Sequence, residues 1–298
     1  MATRNDYFKL HFIVFLWGFS AVIGKLVSIP AVEMVFYRAI LAVIGMGIVI
    51  FVTKGTFSVT SHQLIRLLLI GTIVAVHWMA FFGSARVSNV SVSLVGFATN
   101  SLWAALLEPW FNRTRVKKFE LLLGLVVIFG LYIIFSFDFH YKAGLLLSIL
   151  AGFTSALFSV FNAKVVRSIP TFTITFYEMM GVFISIGIFL PFYKQIAPGH
   201  TLHLIPSLTD WLCIAVLAGV CSVYAYSVAV ELMKKISVFL LQLTLNLEPV
   251  YGIVMAVIVF KDKEKMGLNF YIGTLIILAA VAAYPVLKRK FGEAALKS

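Results

Sequence analysis

A carboxylate lies in the middle of a long apolar run. Residues 236 to 260 contain twenty-five side chains, of which Glu248 is the only one charged at neutral pH. Such a run is long enough to cross a bilayer, and a charge at mid-depth costs about 2.5 to 3.5 kcal/mol on insertion scales. Glu248 is therefore expected to face protein or water. There it could bind a cationic substrate group, carry a proton, or form a structural ion pair or hydrogen bond.

Arg38, His77 and Glu178 lie well inside other apolar stretches. The planar guanidinium of Arg38 could hold a substrate carboxylate through paired hydrogen bonds, or it could form an internal ion pair with Glu178 or Glu248. The imidazole of His77 could exchange protons near neutral pH, although a lone buried histidine is more often a hydrogen-bonded core residue.

Amides and aromatic rings accompany these side chains at helical spacing. The candidates for the floor and walls of a binding cavity are Asn100, Trp103, Asn162, Asn246 and Tyr251. Convergent polar groups on an otherwise apolar surface are typical of ligand sites. The alternative is that these side chains only pack in the core or anchor the protein at the membrane interface, as most of the 28 phenylalanines must.

Pro249 follows Glu248 directly. Because proline has no backbone N–H, the Leu245 carbonyl loses its helical partner and the helix should bend there. Many carriers build a binding site from a helix broken at mid-depth.

The composition requires lipid as the solvent. Of 298 residues 61% are apolar and 12% are charged, with a mean hydropathy of +1.02, whereas soluble domains carry about 25% charged residues. We therefore predict an all-α integral membrane protein with no separate soluble domain.

Ten apolar stretches are long enough to be membrane spans. They lie at about 8–28, 33–53, 67–87, 91–111, 120–136, 143–166, 172–192, 208–230, 236–260 and 267–287. The first resembles a signal peptide, but no convincing cleavage site follows it, so we expect a retained helix.

The distribution of basic residues predicts the orientation. The net charge of +12 would suggest nucleic acid in a soluble protein, but in a membrane protein its placement matters more. Sixteen Lys and Arg residues lie on the side of the N-terminus and six on the other. The prediction is a multi-pass protein of the inner or plasma membrane with both termini in the cytoplasm and no nucleic-acid partner.

The sequence contains an internal repeat. Phe19-Ser20 and Ile29-Pro30 recur as Phe158-Ser159 and Ile169-Pro170, about 140 residues later. Five spans per copy is an odd number, so the second copy must enter the membrane from the opposite side. We therefore predict two inverted five-helix repeats, residues 1–140 and 141–298. In the preferred register Arg38 corresponds to Glu178, and Asn100 to Asn246.

Several short motifs along the chain resemble the EamA branch of the drug/metabolite transporter superfamily. They are Trp17-Gly18-Phe19-Ser20, Arg38 after Pro30, Leu247-Glu248-Pro249-Val250 and Gly273. The resemblance covers essentially the whole chain. It implies alternating-access transport of small metabolites, commonly amino acids or related compounds and often outward, through a central cavity between the halves.

These features favour a secondary active transporter, with a small-molecule substrate and with proton coupling as a possibility. No Gly-rich nucleotide loop, metal-ligand cluster or nucleophile motif is found, so we expect no cofactor, no metal and no catalytic residues. The alternatives are a membrane-embedded enzyme for lipid-linked substrates, with Glu248, His77 and Arg38 as acid, base and anion clamp, and a passive channel. The sequence does not define the substrate, the direction, the coupling ion or the oligomeric state.

Overall fold

The part of the chain that the structure describes is built from helices. The structure is a computed structural model that describes residues 2–135, 141–196, 202, 204–261 and 267–291. The helices in chain order are α1 (Arg4–Gly18), α2 (Ser20–Leu26), α3 (Ala31–Val52), α4 (Ser61–Val87), α5 (Val90–Phe97), α6 (Asn100–Asn112), α7 (Lys118–Phe135), α8 (Lys142–Val165), α9 (Thr171–Ile196), α10 (Leu208–Val216), a π-helix (Leu217–Tyr226), α11 (Ser227–Leu232), α12 (Val238–Leu245), α13 (Glu248–Phe260) and α14 (Leu268–Phe291).

Eight helical stretches within the described residues are long and apolar enough to cross a membrane. They are Arg4–Leu26, Ala31–Val52, Ser61–Val87, Val90–Asn112, Lys142–Val165, Thr171–Tyr193, Leu208–Leu232 and Val238–Phe260. Each overlaps a predicted span, which makes the chain a multi-pass membrane protein by length and composition. The other two predicted spans overlap α7 and α14, which pack along each other.

Three of these stretches are broken near their middle, between α1 and α2, between α5 and α6, and between α12 and α13. The last break lies where Pro249 predicts it, because α12 ends at Leu245 and α13 begins at Glu248. No proline explains the break before α6. There the Thr99 hydroxyl donates to the Gly96 carbonyl at 3.0 Å, and such a side-chain bond competes with the helical backbone bonds.

The π-helix interrupts the stretch Leu208–Leu232. Its wider turn is accompanied by a bond from the Ser222 hydroxyl to the Leu217 carbonyl, five residues earlier, at 3.2 Å. π-Helical turns are rare and are found often at functional sites. This one packs against α1 and α3.

Helices from the two sequence halves cross closely. The closest approach of α4 and α9 lies at Gly71 and Gly181, where a Cβ on Gly71 would lie 2.8 Å from the Gly181 Cα. The loops before α4 and α10 are each held by a tyrosine hydroxyl from the opposite half of the chain. Tyr177 Oη donates to the Phe57 carbonyl at 2.8 Å, and Tyr37 Oη donates to the Leu204 carbonyl at 2.6 Å.

The helix bounds shift the predicted register of the internal repeat by two residues. Helices α5 and α12 each have 8 residues, and α6 and α13 each have 13. Matching these helices pairs Asn100 with Glu248, since each is the first residue of the helix after the break. The predicted pair was Asn100 with Asn246. Short motifs such as Ser-Val cannot fix a register that depends on where a helix breaks.

One end of the bundle is tied by a carboxylate and an arginine. Asp210 at the start of α10 accepts hydrogen bonds from the Ser28 backbone N–H at 2.6 Å and from the Ser28 hydroxyl at 2.7 Å. Arg86 near the end of α4 donates to the Gly24 and Val27 carbonyls at 3.2 and 2.9 Å. The Asp210 bonds hold the loop between α2 and α3 against the second half of the chain, and the Arg86 bonds hold α2 and the start of that loop against α4.

The opposite end is tied by different residues. Lys235 forms an ion pair with Asp6 at 2.8 Å, which joins the start of α1 to the loop before α12. Glu108 on α6 accepts the backbone N–H groups of Val238 and Phe239 at 3.1 and 2.8 Å. Glu108 therefore caps the N-terminus of α12, where unpaired N–H groups favour an anion.

Candidate functional site

A cavity inside the helix bundle collects charged, titratable and aromatic side chains from both halves of the chain. Its charged and titratable lining residues are Arg38, His77, Cys221, Tyr226 and Glu248. Aromatic rings cover much of the remaining wall, from Trp17, Trp78, Phe81, Phe82, Phe97 and Phe158. An apolar wall with a few polar groups is the usual construction of a small-molecule site.

Arg38 on α3 is held in place without an acidic partner. Its Nε donates to the Ser222 hydroxyl at 2.9 Å, and its Cζ lies 3.8 Å from the centre of the Trp78 ring. No described carboxylate forms an ion pair with it. The alternative of an internal pair with Glu178 or Glu248 is therefore not formed here. The side chain is 3% exposed and borders the cavity, so its terminal amino groups remain available to a ligand.

Glu248 is the first residue of α13 and borders the same cavity. Its side chain is buried, and its carboxylate accepts no hydrogen bond and forms no ion pair among the described residues. The N-terminus of a helix favours negative charge, so α13 partly stabilises the carboxylate. Glu248 is thus an unpaired acceptor in a largely aromatic chamber.

His77 on α4 has a defined tautomer when it is neutral. Its Nδ1 lies 2.8 Å from the Ala151 carbonyl oxygen, and because a carbonyl only accepts, Nδ1 must donate. Nε2 is then the acceptor. The ring packs edge-on against Phe158, with centroids 5.4 Å apart. His77 therefore couples α4 to α8 at the cavity wall.

Glu178 and Asn162 lie behind the cavity wall and do not line it. Both are fully buried. Glu178 Oε2 accepts from Tyr226 Oη at 2.7 Å and from Asn162 Nδ2 at 3.3 Å. Asn162 Nδ2 also donates to Tyr226 Oη, at 3.0 Å. Of this group only Tyr226 reaches the cavity.

Asn100, Trp103, Asn246 and Tyr251 lie outside the cavity lining. Asn246 Nδ2 donates to the Ser101 hydroxyl at 2.9 Å, at the contact between the two broken spans. The Asn100 amide is fully buried and lacks a partner among the described residues. Trp103 packs edge-on against Phe153 at 5.2 Å, and Tyr251 packs against Phe15 at 5.3 Å.

These four residues lie on two different spans, Asn100 and Trp103 on α6 and Asn246 and Tyr251 beside or on α13. Leu241, Leu245 and Glu248 line the cavity at helical spacing, and Asn246, next to Leu245, lies off that stripe. The predicted site therefore divides into a cavity group, a buried group behind Tyr226, and a group at the crossing of the broken spans.

The model of the EamA-like transporter family matches residues 8–136 and 142–284. The chain belongs to the EamA-like transporter family. The match covers most of the chain in two successive segments, and the resemblance inferred from the motifs is confirmed.

A solved crystal structure shares the fold of this EamA-like protein. The two have a TM-score of 0.70 and 14% sequence identity, with 97% of this chain and 99% of that chain covered. At this identity the likeness shows the fold alone. Among curated proteins, no sequence matches this chain.

The motif Trp17-Gly18-Phe19-Ser20 of this EamA-like protein now has a physical explanation. Trp17 Nε1 donates to the Cys221 carbonyl at 3.0 Å and so fastens α1 to the π-helix. A Cβ on Gly18 would lie 2.7 Å from the Tyr251 Cβ and 3.3 Å from the Glu248 carbonyl oxygen. Gly18 therefore allows α13 to approach α1 beside Glu248.

Sequence reasoning missed several residues of the EamA-like site. Gln242 Nε2 donates to the Ser159 hydroxyl at 2.8 Å, and both line the cavity. Ser159 is the repeat partner of Ser20, which also lines the cavity, so the repeat itself was a usable signal. Ser222 and Tyr226 carried no such signal, because they reach Arg38 and Glu178 only through the π-helix.

Proposed function

We propose that this EamA-like protein is a secondary active transporter that exports small metabolites such as amino acids or related compounds. The observation that carries the proposal is one cavity bordered by an unpaired guanidinium, Arg38, and an unpaired carboxylate, Glu248. Buried charges without partners are costly. A ligand that supplies the opposite charges would offset that cost.

The chemistry of the cavity favours a zwitterion with an apolar portion. Arg38 presents its terminal N–H groups to a carboxylate, and Glu248 presents oxygens to an ammonium group. The indole and phenyl rings of the wall suit an apolar or aromatic substituent. Free amino acids and their close relatives combine these three features.

The proposed architecture is ten transmembrane helices in two inverted five-helix repeats, residues 1–140 and 141–298. The matching lengths of α5 with α12 and of α6 with α13 support it, as do the reciprocal loop bonds of Tyr37 and Tyr177. Inverted repeats allow two related conformations that open a midplane site to opposite faces in turn. Both termini lie in the cytoplasm under this proposal, in the inner or plasma membrane.

Counterflow in proteoliposomes tests the proposal. Vesicles containing the purified full chain are loaded with an unlabelled mixture of amino acids and metabolites, and uptake of each labelled solute is followed. We expect saturable uptake of at least one solute, driven by the internal pool and reduced at least tenfold by Arg38→Ala or Glu248→Gln. Arg66→Ala is the matched control, because Arg66 is exposed on α4 away from the cavity lining.

The same experiment separates the alternatives. A carrier returns each solute with an unchanged mass, whereas an enzyme would alter it. A channel would give flux without counterflow. Uptake no greater than in protein-free vesicles across the whole panel would contradict the transport proposal.

A further inference from the structure

Glu178 is a carboxyl group deep in the protein that the substrate chemistry above does not use. Its side chain is fully buried and lies on α9 near the close crossing with α4, where a Cβ on Gly71 would lie 2.3 Å from the Glu178 carbonyl oxygen. The crossing joins the two sequence halves, so Glu178 lies where the halves would move against each other.

The hydrogen bonds assign different roles to the two carboxyl oxygens. Oε2 accepts from Tyr226 Oη and from Asn162 Nδ2. The single hydroxyl proton of Tyr226 is used in that bond, and the hydroxyl oxygen accepts from Asn162. Oε1 is buried and has no partner among the described residues. An additional proton would therefore reside on Oε1.

Among the described residues, no Lys, Arg or His forms an ion pair with Glu178. The hydrogen bonds to its carboxyl come from Tyr226 and Asn162. The elements around it carry other charged or titratable side chains: Glu33, Tyr37 and Arg38 on α3, His62, Arg66, His77 and Arg86 on α4, Lys142 and Lys164 on α8, Tyr177 and Tyr193 on α9, Cys221 and Tyr224 on the π-helix, and Glu231 on α11. A buried carboxylate without a cation is strongly disfavoured, and a bound proton removes the charge.

The π-helix connects Glu178 to the cavity. Tyr226 lines the cavity, and its hydroxyl donates to Glu178. One turn earlier in the same π-helix, Ser222 accepts the Arg38 Nε–H bond. A change in the hydrogen bond between Tyr226 and Glu178 would therefore be transmitted to the side chain that holds Arg38.

We propose that Glu178 is the proton-binding site of this transporter, separate from the substrate carboxylate Glu248, and that Tyr226 and the π-helix couple its protonation to the position of Arg38. Glu178 does not line the cavity in this conformation, so Tyr226 must move aside before Oε1 can give its proton to cavity water or take one back from it. When the Glu178 carboxyl is ionised, both of its oxygens share the negative charge. The side chains of Tyr226 and Asn162 must then rearrange to donate hydrogen bonds to both. The coupling of protons to transport rests on the proposed function, whereas the protonation itself does not.

Infrared spectroscopy of the reconstituted full chain tests the protonation directly. A protonated carboxylic acid has a C=O stretching band that an ionised carboxylate lacks. At neutral pH we expect such a band to be lost in Glu178→Gln and to move to higher frequency in Tyr226→Phe, because that variant removes a hydrogen bond to the carboxyl. Glu231→Gln is the matched control and keeps the band, because the Glu231 side chain is half-exposed and forms an ion pair with Lys234 at 2.7 Å. A Glu178→Gln spectrum identical to that of the unaltered protein would overturn the proposal.

Tryptophan fluorescence tests the coupling without any substrate. Trp78 lies against the Arg38 guanidinium, so its emission reports the position of that group. We expect emission that changes with pH in the unaltered protein and in the control Glu231→Gln, and that loses this change in Glu178→Gln, Tyr226→Phe and Trp78→Phe. Persistence of the full change in both Glu178→Gln and Tyr226→Phe would overturn the coupling. Both measurements remain decisive if the flux experiment fails, since neither needs a transported solute.

Discussion

The contacts of Arg38 are specific to a guanidinium. A planar group can donate from Nε to Ser222, stack on Trp78 at 3.8 Å and still present two amino groups to a ligand. The ammonium of lysine has no fixed plane and cannot make all three contacts together. At the scale of the single residue, charge alone is therefore insufficient for the proposed site.

Arg38→Lys is expected to weaken substrate binding while the fold is retained. Loss of a bidentate, charge-assisted contact should raise the solute concentration for half-maximal counterflow about tenfold or more, since about 1.4 kcal/mol corresponds to a factor of ten. Arg66→Lys is the matched control and should leave that concentration unchanged. An unaltered value in Arg38→Lys would show that substrate does not contact the guanidinium.

At the scale of the helices, the crossing of α4 and α9 depends on two glycines. A Cβ on Gly71 would lie 2.3 Å from the Glu178 carbonyl oxygen and 2.8 Å from the Gly181 Cα. Both neighbours are backbone atoms, which cannot move aside as a flexible side chain would. The crossing therefore requires glycine at this position for reasons of space.

Gly71→Ala is expected to destabilise the protein, because overpacking of this kind costs about 1 to 3 kcal/mol. The apparent unfolding temperature in detergent should fall. Gly219→Ala is the matched control, since no atom lies within 4 Å of a Cβ at that helical glycine and alanine favours helix. The control should be unchanged or slightly more stable. Equal unfolding temperatures for the two variants would contradict the close crossing.

At the scale of the whole molecule, the bonds between Ser28 and Asp210 join the two halves at the end of the bundle that the charge distribution places outside. Both Asp210 oxygens take part, at 2.6 and 2.7 Å. Asp210 also accepts from Ser207 within its own helix cap. The contact between the halves and the helix cap can therefore be altered separately.

Ser28→Ala is expected to open this end of the transporter more often. One net hydrogen bond contributes about 0.5 to 1.5 kcal/mol, so reaction of the buried cavity thiol Cys221 with a membrane-impermeant maleimide from outside should accelerate severalfold. The measurement uses a Cys213→Ala background. Ser207→Ala is the control, because it alters the cap and leaves the Ser28 contact intact. Equal acceleration in both variants would mean that cap stability, and not the contact between the halves, controls access.

The sequence by itself determined that the chain lies in lipid, that it is helical, and which family it belongs to. These follow from local properties, namely the lengths of apolar runs, the cost of a charge in lipid and short motifs in a fixed order. The same cost predicted that Arg38 and Glu248 face inward, and both border the cavity. Pro249 predicted the break before α13, because the missing N–H is a property of one residue.

Only the tertiary structure decided which polar groups meet. Ser222 reaches Arg38 across 184 positions and Tyr226 reaches Glu178 across 48, and both residues lie in the π-helix. Asn100 and Asn246 lie outside the cavity lining, although Leu245 beside Asn246 is part of it. Hydropathy fixes the depth of a residue in the membrane, but its direction around the helix axis depends on packing against distant segments.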